Sequence, residues 1–173
     1  MNPIRRRQLR RQLLLGGTAL AAVGVSAAAY SALGQATDGN AYEVEHSDVE
    51  WQRLLAPPAY AVLRKHQTER PGSSPLDREK RAGTFHCAGC DLPLFASATK
   101  FDSGTGWPSF WQPLDGAIAT RREWLVFVPQ TEVHCRRCGG HLGHVFEDGP
   151  KPTGLRYCMN GVAMAFKPAA TPS

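Results

Sequence analysis

Polar and apolar positions predict two short helices at the start of the folded region. Residues 47–50, SDVE, match a capping box in which the side chain of Ser47 caps the helix. This helix should end near Leu55, because prolines follow at once. The segment 58–66, PAYAVLRKH, starts a second helix with proline in its first turn. Its apolar residues predict a buried side made of Tyr60, Val62 and Leu63.

Short strand patterns take over from Thr84 onward. Three runs have the length and residue types of strands, with Gly and Pro between them: 124–129 (WLVFVP), 154–160 (GLRYCMN) and 162–166 (VAMAF). Long helical patterns are absent after Lys100. The chain therefore predicts an α+β fold that is mainly β, with helices at the front and antiparallel sheet behind.

The N-terminal region predicts an export signal over residues 1–36. The basic stretch RRRQLRR precedes a mostly apolar run from Leu13 to Leu33, and small residues follow at 32–36. The pair Arg10-Arg11 ahead of QLLL is similar to a twin-arginine signal. An uncleaved membrane anchor is the alternative, because about 20 apolar residues can span a bilayer. Residues 37–46 are mostly polar and predict a linker, and residues 168–173 form a tail.

The charge of the chain is concentrated in this signal. The formal net charge is +5, with 20 Lys and Arg against 15 Asp and Glu. Five of the arginines lie in residues 1–12, so the remaining domain is formally neutral. This balance argues against a nucleic-acid partner. A membrane contact is expected only through the signal, and the domain is expected to be exported, in the periplasm.

Four of the five cysteines form two C-x-x-C pairs inside an internal repeat. HCAGCDLPL (86–94) and HCRRCGGHL (134–142) share the pattern H-C-x-x-C-x-x-x-L. Two such turns can hold a closed, structural zinc ion with four sulfur ligands, namely Cys87, Cys90, Cys135 and Cys138. The alternative is a pair of disulfides or a redox-active C-x-x-C, since an export compartment is oxidising.

The fifth cysteine, Cys158, lies in the predicted strand 154–160. Side chains alternate along a strand, so Arg156, Cys158 and Asn160 share one face. A guanidinium on that face would favour a thiolate, which predicts an activated nucleophile. The alternative is a small buried cysteine without chemistry.

Two further segments carry candidate site residues. In HLGHVFEDGP (141–150), His141 and His144 could donate protons to an oxygen leaving group, with Asp148 orienting the site. Ordinary surface histidines are the alternative. In KFDSGTGWPSFW (100–111), Trp107 is placed to wall a pocket, whereas core packing is the simpler use of the aromatic residues that follow, Phe110 and Trp111.

Taken together, these motifs resemble the B-type methionine-R-sulfoxide reductases. The resemblance covers residues 47–167 and rests on TERP (68–71), both C-x-x-C turns, KFDSGTGWPSF, HLGHVFEDGP and GLRYCMN. It implies a β-tent-like fold of two antiparallel sheets, one structural zinc ion and no catalytic metal. It also implies reduction of the R epimer of methionine sulfoxide, peptide-bound or free, to methionine.

The resemblance also implies a role for each site residue. Cys158 attacks the sulfoxide sulfur and becomes a sulfenic acid, while His144 protonates the oxygen with help from His141. Trp107 receives the methyl group. Phe110 is a second candidate for substrate binding on its position in the same segment. Polar residues of the site match Asp148, Arg156 and Asn160.

One position departs from the family pattern. Many members carry a resolving cysteine where this chain has Thr105. We therefore expect an external thiol, such as a thioredoxin-like protein, to regenerate Cys158, and we expect a monomer that repairs oxidised exported proteins. A zinc-stapled protein-binding module without catalysis, and a thiol peroxidase, are the competing hypotheses.

Overall fold

The computed structural model of the protein describes residues 42–125 and 128–170. The predicted export signal lies outside the described residues, as do 37–41 of the predicted linker. Within the ranges that are described, none of the helices is long and apolar enough to cross a membrane.

The first helix, α1 (Asp48–Leu54), begins at the predicted capping box. The backbone N–H of Glu50 donates to the Ser47 hydroxyl at 3.3 Å, and the backbone N–H of Ser47 donates to the Glu50 carboxylate at 2.8 Å. The helix buries Trp51. Its predicted start and end are both confirmed.

The second helix, α2 (Pro57–Lys65), packs against the sheet and ends at a left-handed residue. Its buried residues are Ala59, Val62 and Leu63. Tyr60, predicted to be buried, is half-buried, and its hydroxyl donates to Asp48 at 2.6 Å. His66 closes the helix with φ of 53° and turns the chain toward Thr68 and Glu69.

The described strands form two antiparallel sheets, which confirms the predicted fold class. The strands are β1 (Gly83–Cys87), β2 (Pro93–Ala96), β3 (Lys100–Phe101), β4 (Ser109–Phe110), β5 (Ile118–Leu125), β6 (Val128–Cys135), β7 (His141–Phe146), β8 (Arg156–Met159) and β9 (Met164–Pro168). The smaller sheet has the order β2-β1-β9, and the larger sheet has the order β3-β4-β8-β7-β6-β5.

Two predicted strands are placed differently in the structure. The run 124–129 is not one strand: Leu125 pairs with Val128, so the run contains the end of β5 and the beginning of β6. The run 162–166 begins as a short 3-10 turn at 161–163, and its strand, β9, starts at Met164. In both places apolar residues lie beside a chain reversal or a turn.

An aromatic cluster fills the core between the two sheets. Phe85 of β1, Phe95 of β2 and Phe110 of β4 have no exposed surface. The rings of Phe95 and Phe110 stack with centroids 4.3 Å apart, and Phe85 meets Phe110 edge-on at 4.9 Å. This cluster holds β4 in place, and β4 lies next to the strand of Cys158.

Candidate active site

A row of reactive side chains crosses the larger sheet at right angles to its strands. The paired residues are Arg121 with Glu132, Glu132 with His144, His144 with Cys158, and Cys158 with Ser109. Directly opposed residues of an antiparallel sheet point to the same face. Five functional groups therefore lie side by side on five neighbouring strands: a guanidinium, a carboxylate, an imidazole, a thiol and a hydroxyl.

A cavity of about 130 Å³ opens over the centre of this row. Its walls are formed by Thr68, Trp107, Gly143, His144, Phe146, Cys158 and Asn160. Gly143 is needed where β7 approaches β8, because a Cβ there would collide with the carbonyl oxygen of Cys158. The structure thus brings Cys158, His144, Trp107 and Asn160 together, as the sequence predicts.

Cys158 is half-buried beneath this cavity, and its protonation state differs from the prediction. Burial raises the pKa of the Cys158 thiol, and this effect outweighs the hydrogen bond from Thr105 and the charge of Arg156, which lower it. The Thr105 hydroxyl oxygen lies 3.9 Å from the sulfur. Arg156 thus favours the thiolate, as the sequence predicts, but burial has the larger effect on the pKa of Cys158 and favours the thiol in the free protein.

Arg156 is instead committed to Asp148. Two parallel hydrogen bonds of 2.8 Å join its guanidinium to that carboxylate, and the guanidinium carbon lies 4.4 Å from the centre of the Phe146 ring. The pair raises the pKa of Arg156 and lowers the pKa of Asp148. Asp148 is exposed, so it acts on the cavity through Arg156 and Phe146.

His144 stands opposite Cys158 as a neutral base. Burial and the neighbouring His141 lower the pKa of His144, while the carboxylates of Glu123 and Glu132 oppose that shift. Its Nε2 lies 3.7 Å from a carboxylate oxygen of Glu123. A neutral imidazole beside a protonated thiol is the arrangement for accepting that proton.

His141 begins β7 and lies behind the cavity wall, with 2% of its surface exposed. Its ring centre is 5.3 Å from that of His144, and its Nδ1 is 2.8 Å from a carboxylate oxygen of Glu132. Donor atoms of His66, Glu132 and His141 come within 4.8 Å of one another. The ion pair of Glu132 with Arg121 and its hydrogen bond to His141 account for this group, and we assign no metal to it.

Asn160 and Trp107 are both anchored by the residue after Thr68. The backbone N–H of Glu69 donates to the Asn160 side-chain oxygen at 2.9 Å, and the Glu69 carbonyl accepts from the Trp107 indole at 3.1 Å. The Asn160 amide donates to the carbonyl of Leu142 at 3.1 Å. The segment that follows α2 therefore fixes two walls of the cavity.

Phe110 does not reach the cavity. It follows Ser109, which faces the row, so alternation turns its ring to the opposite side of the sheet. There it stacks in the aromatic cluster with no exposed surface. The prediction that Phe110 binds substrate is wrong, because a fully covered ring has no surface to offer.

The four paired cysteines meet where the two sheets come together. Sulfurs of Cys87 and Cys138 are 3.7 Å apart, and those of Cys90 and Cys135 are 3.5 Å apart. All four sulfurs lie within 4.8 Å of one another. A disulfide would require about 2.05 Å, and each of the cysteines is a free thiol.

This sulfur set fits a tetrahedral metal ion. Zinc–sulfur bonds of about 2.3 Å place neighbouring sulfurs about 3.8 Å apart, close to the separations found here. Interactions among the four sulfurs raise the pKa of Cys87 and Cys138 and lower the pKa of Cys90 and Cys135. Two of the thiols therefore keep their protons, and four thiolates need a cation between them. Cys87 ends β1 and Cys135 ends β6, so one ion would join both sheets.

The two C-x-x-C turns have the same backbone geometry. The N–H of Asp91 donates to the carbonyl of Cys87, and the N–H of Gly139 donates to the carbonyl of Cys135, each at 2.9 Å. Asp91 and Gly139 both have positive φ, of 61° and 67°. The internal repeat in the sequence is thus a repeat of structure.

Part of the predicted linker lies against the second turn. The N–H of Val44 donates to the carbonyl of Arg137 at 3.0 Å, and Glu43 forms an ion pair with the Arg137 side chain at 3.5 Å. A Cβ at Gly139 would collide with the ring of Tyr42. Residues 42–46 therefore cover one side of the sulfur cluster.

Sequence reasoning gave no role to Thr68, Glu69, Glu132 or Phe146. Thr68 and Glu69 belong to the TERP motif, which was available as a signal. Phe146 lies two positions after His144, so strand alternation could have placed it on the cavity face. Nothing in the sequence indicates a role for Glu132, because the burial of its carboxylate is visible only in the structure.

Comparisons with known proteins agree with this geometry. The family model described as SelR domain matches residues 55–168. The chain is 50% identical over 127 residues to the "Peptide methionine sulfoxide reductase MsrB" of Agrobacterium fabrum, covering 73% of this chain and 94% of that protein. The proteins of the same name from Pseudomonas putida (strain W619) and Leptospira interrogans are 56% and 46% identical, covering 69% and 73% of this chain and 90% and 97% of theirs.

Proposed function

The chain belongs to the SelR-domain family, with the MsrB peptide methionine sulfoxide reductases, and we propose that it reduces the R epimer of methionine sulfoxide through Cys158. One observation carries the proposal. A thiol and a neutral imidazole face each other on β8 and β7 at a small cavity with an indole wall. That arrangement suits attack on a sulfoxide sulfur whose oxygen needs a proton.

The size of the cavity favours the end of one unbranched side chain. Its volume of about 130 Å³ is below the roughly 300–1,000 Å³ typical of small-molecule pockets. Trp107 and Phe146 offer apolar surface to a methyl group, and His144 offers a polar atom to the oxygen. Peptide-bound methionine sulfoxide can enter with its backbone left outside.

The protons and electrons of the reductase step balance within this site. His144 takes the proton of the Cys158 thiol, and the thiolate attacks the sulfoxide sulfur. This attack joins the two sulfurs, and His144 gives its proton to the sulfoxide oxygen. The oxygen then passes to the Cys158 sulfur while the S–O bond of the sulfoxide and the bond between the sulfurs break, which leaves a sulfenic acid on Cys158 and releases methionine. The sulfoxide gains two electrons, and the Cys158 sulfur loses two.

Regeneration of Cys158 is assigned to an external thiol reductant, such as a thioredoxin-like protein. A first thiol displaces water from the sulfenic acid and forms a mixed disulfide, and a second thiol releases Cys158. Thr105 is the neighbour at 3.9 Å and has no sulfur to offer. The other four cysteines are committed to the cluster between the sheets.

We assign one structural zinc ion to Cys87, Cys90, Cys135 and Cys138, where it would tie the two sheets together. The N-terminal pattern supports an exported, periplasmic protein that repairs oxidised exported proteins, in contact with the membrane only through its signal. The formal neutrality of the domain supports the absence of a nucleic-acid partner.

Single-turnover reduction of the R and S epimers tests the proposal, with wild type and Cys158→Ser compared at equal zinc content. Wild type should consume only the R epimer and form about one sulfenic acid per chain, whereas Cys158→Ser should be inactive. If wild type with zinc bound is inactive on both epimers, the proposal fails and the protein-binding module becomes the better hypothesis.

A further inference from the structure

A buried carboxylate stands one strand away from the reacting pair. Glu132 is fully buried on β6, paired with His144 in the sheet, and does not line the cavity. One of its oxygens is 2.8 Å from the Nδ1 of His141, and the other is 2.8 Å from the guanidinium of Arg121. The proton transfer described above leaves this residue without a task.

A carboxylate in such a place is costly to maintain. Burying an ionised group costs several kcal/mol unless partners compensate, and an apolar residue of similar size is often as stable. Burial alone would raise the pKa of Glu132, but His134, His141 and Arg121 outweigh it and hold that pKa well below its usual range. Glu132 is therefore ionised at neutral pH.

An ionised carboxylate fixes the hydrogen of its histidine partner. Because a carboxylate can only accept, the Nδ1 of His141 must carry the hydrogen that joins them. Whenever the His141 ring carries a single hydrogen, its Nε2 is then a bare acceptor. This atom is buried, and within the described part of the chain it has no hydrogen-bond partner. The two imidazoles meet edge to face, at an interplanar angle of 64°.

We propose that Glu132 is a positioning residue for the reductase step. It holds His141 in the Nδ1–H form, and its charge stabilises the positive charge that the two histidines share while the proton passes from Cys158 to oxygen. Glu132 touches neither substrate nor sulfur, and its effect passes through His141 and His144. The inference rests on the proposed function.

The charges around His144 determine how its pKa should change when Glu132 is replaced. His144 faces His141 on its own strand, Glu123 on β5, Glu132 on β6 and Cys158 on β8. The carboxylate of Glu132 opposes the lowering of the His144 pKa by burial. Removing that carboxylate should lower the pKa of His144 further and make the imidazolium harder to form.

The groups around Glu132 itself supply the control. Besides Arg121 and His141, it faces His134 at 3.7 Å and the Nδ1 of His66 at 3.2 Å. His66 is half-exposed at the end of α2 and does not line the cavity. His66→Asn tolerates the left-handed backbone there. It removes a ring whose centre lies 5.1 Å from that of His141, but it keeps the carboxylate of Glu132 and its hydrogen bond to His141.

The experiment compares wild type, Glu132→Gln and His66→Asn in single-turnover reduction of the R epimer across pH. Glu132→Gln should lower the plateau rate by about tenfold or more, move the acidic limb to lower pH, and leave the substrate concentration for half-saturation unchanged. In His66→Asn the rate should fall on the acidic side at the same pH as in wild type. In a His141→Asn background, Glu132→Gln should cost little more, because the two act as a unit.

Other results would overturn the inference. One is a Glu132→Gln variant that has a lower melting temperature but the same rate and the same pH profile as wild type. That result would mean that Glu132 has only a structural role. If that variant does not fold, nitrogen-15 NMR of the histidines in wild type decides, because a hydrogen on Nε2 of neutral His141 contradicts the assignment. The proposed function is tested separately: if wild type is active and Cys158→Ser is inactive, it stands whatever the result for Glu132.

Discussion

Replacing Thr105 with cysteine should give the protein an internal route to resolve the sulfenic acid that we propose for Cys158. The Thr105 hydroxyl oxygen lies 3.9 Å from the Cys158 sulfur, and a disulfide needs about 2.05 Å. A sulfur at the γ position must therefore approach by roughly 2 Å. Rotation about one side-chain bond, together with the longer carbon–sulfur bond, covers much of that distance.

The new disulfide should also be visible as a gain in stability. It would join positions 53 residues apart. The loop-closure model gives about 4 kcal/mol for a loop of that length, less any strain in the native state. For a domain of this size, that predicts a melting temperature higher by about 10 °C or more after one turnover than before it.

The assay is a single turnover with the R epimer, followed by thiol counting, mass spectrometry and thermal melting. Wild type and the Thr105→Ser control should lose one thiol each and keep a sulfenic acid that reacts with dimedone. Thr105→Cys should lose two thiols and show no dimedone adduct. A disulfide on Cys158 in wild type, or a lasting sulfenic acid in Thr105→Cys, would refute this account of the site.

Three further predictions concern pH, the indole wall and the metal. Burial lowers the pKa of His144 and raises the pKa of Cys158, so between the two pKa values the imidazole is neutral and the thiol keeps its proton. A plot of kcat/KM against pH should therefore be flat near neutrality and extend below the ordinary histidine value of about 6.5 and above the ordinary cysteine value of about 8.5, and a narrow peak would contradict this. Trp107→Ala should raise KM by up to about tenfold. Trp107→Phe keeps an aromatic wall but loses part of the ring surface and the bond to the Glu69 carbonyl, so its KM should lie between those of wild type and Trp107→Ala; equal KM values in steady-state assays would exclude the methyl contact. Chelating the proposed zinc ion under reducing conditions should lower the melting temperature by at least about 10 °C, whereas an unchanged melting curve, with zero zinc by elemental analysis, would show that the fold does not depend on a metal.

Local patterns predicted the parts of the site that depend on turns and on strand alternation. The repeated C-x-x-C motif predicted a shared sulfur site, because each turn closes by the same backbone hydrogen bond regardless of its surroundings. Alternation placed Cys158 and Met159 on opposite faces, and Met159 is fully buried. The capping box at Ser47 likewise depends only on nearby residues.

Features that depend on distant residues could not be read from the sequence in the same way. The run 124–129 has strand-type residues throughout, yet its pairing reverses between Leu125 and Val128. The effect of Arg156 on Cys158 was overestimated, because neither the burial of the thiol nor the double bond to Asp148 is visible in the sequence. Both errors came from judging a residue by its neighbours in the chain.

Because the site residues lie on paired strands of the larger sheet, catalysis depends on the register of those strands. Because side chains alternate, a shift of one residue between β7 and β8 would turn Cys158 away from His144 while leaving most backbone hydrogen bonds possible. A single insertion or deletion inside β5 to β8 should therefore abolish activity even in a protein that still folds. Changes of length should be tolerated only in the connecting turns, so the spacing within these strands is as much a part of the catalyst as the side chains they carry.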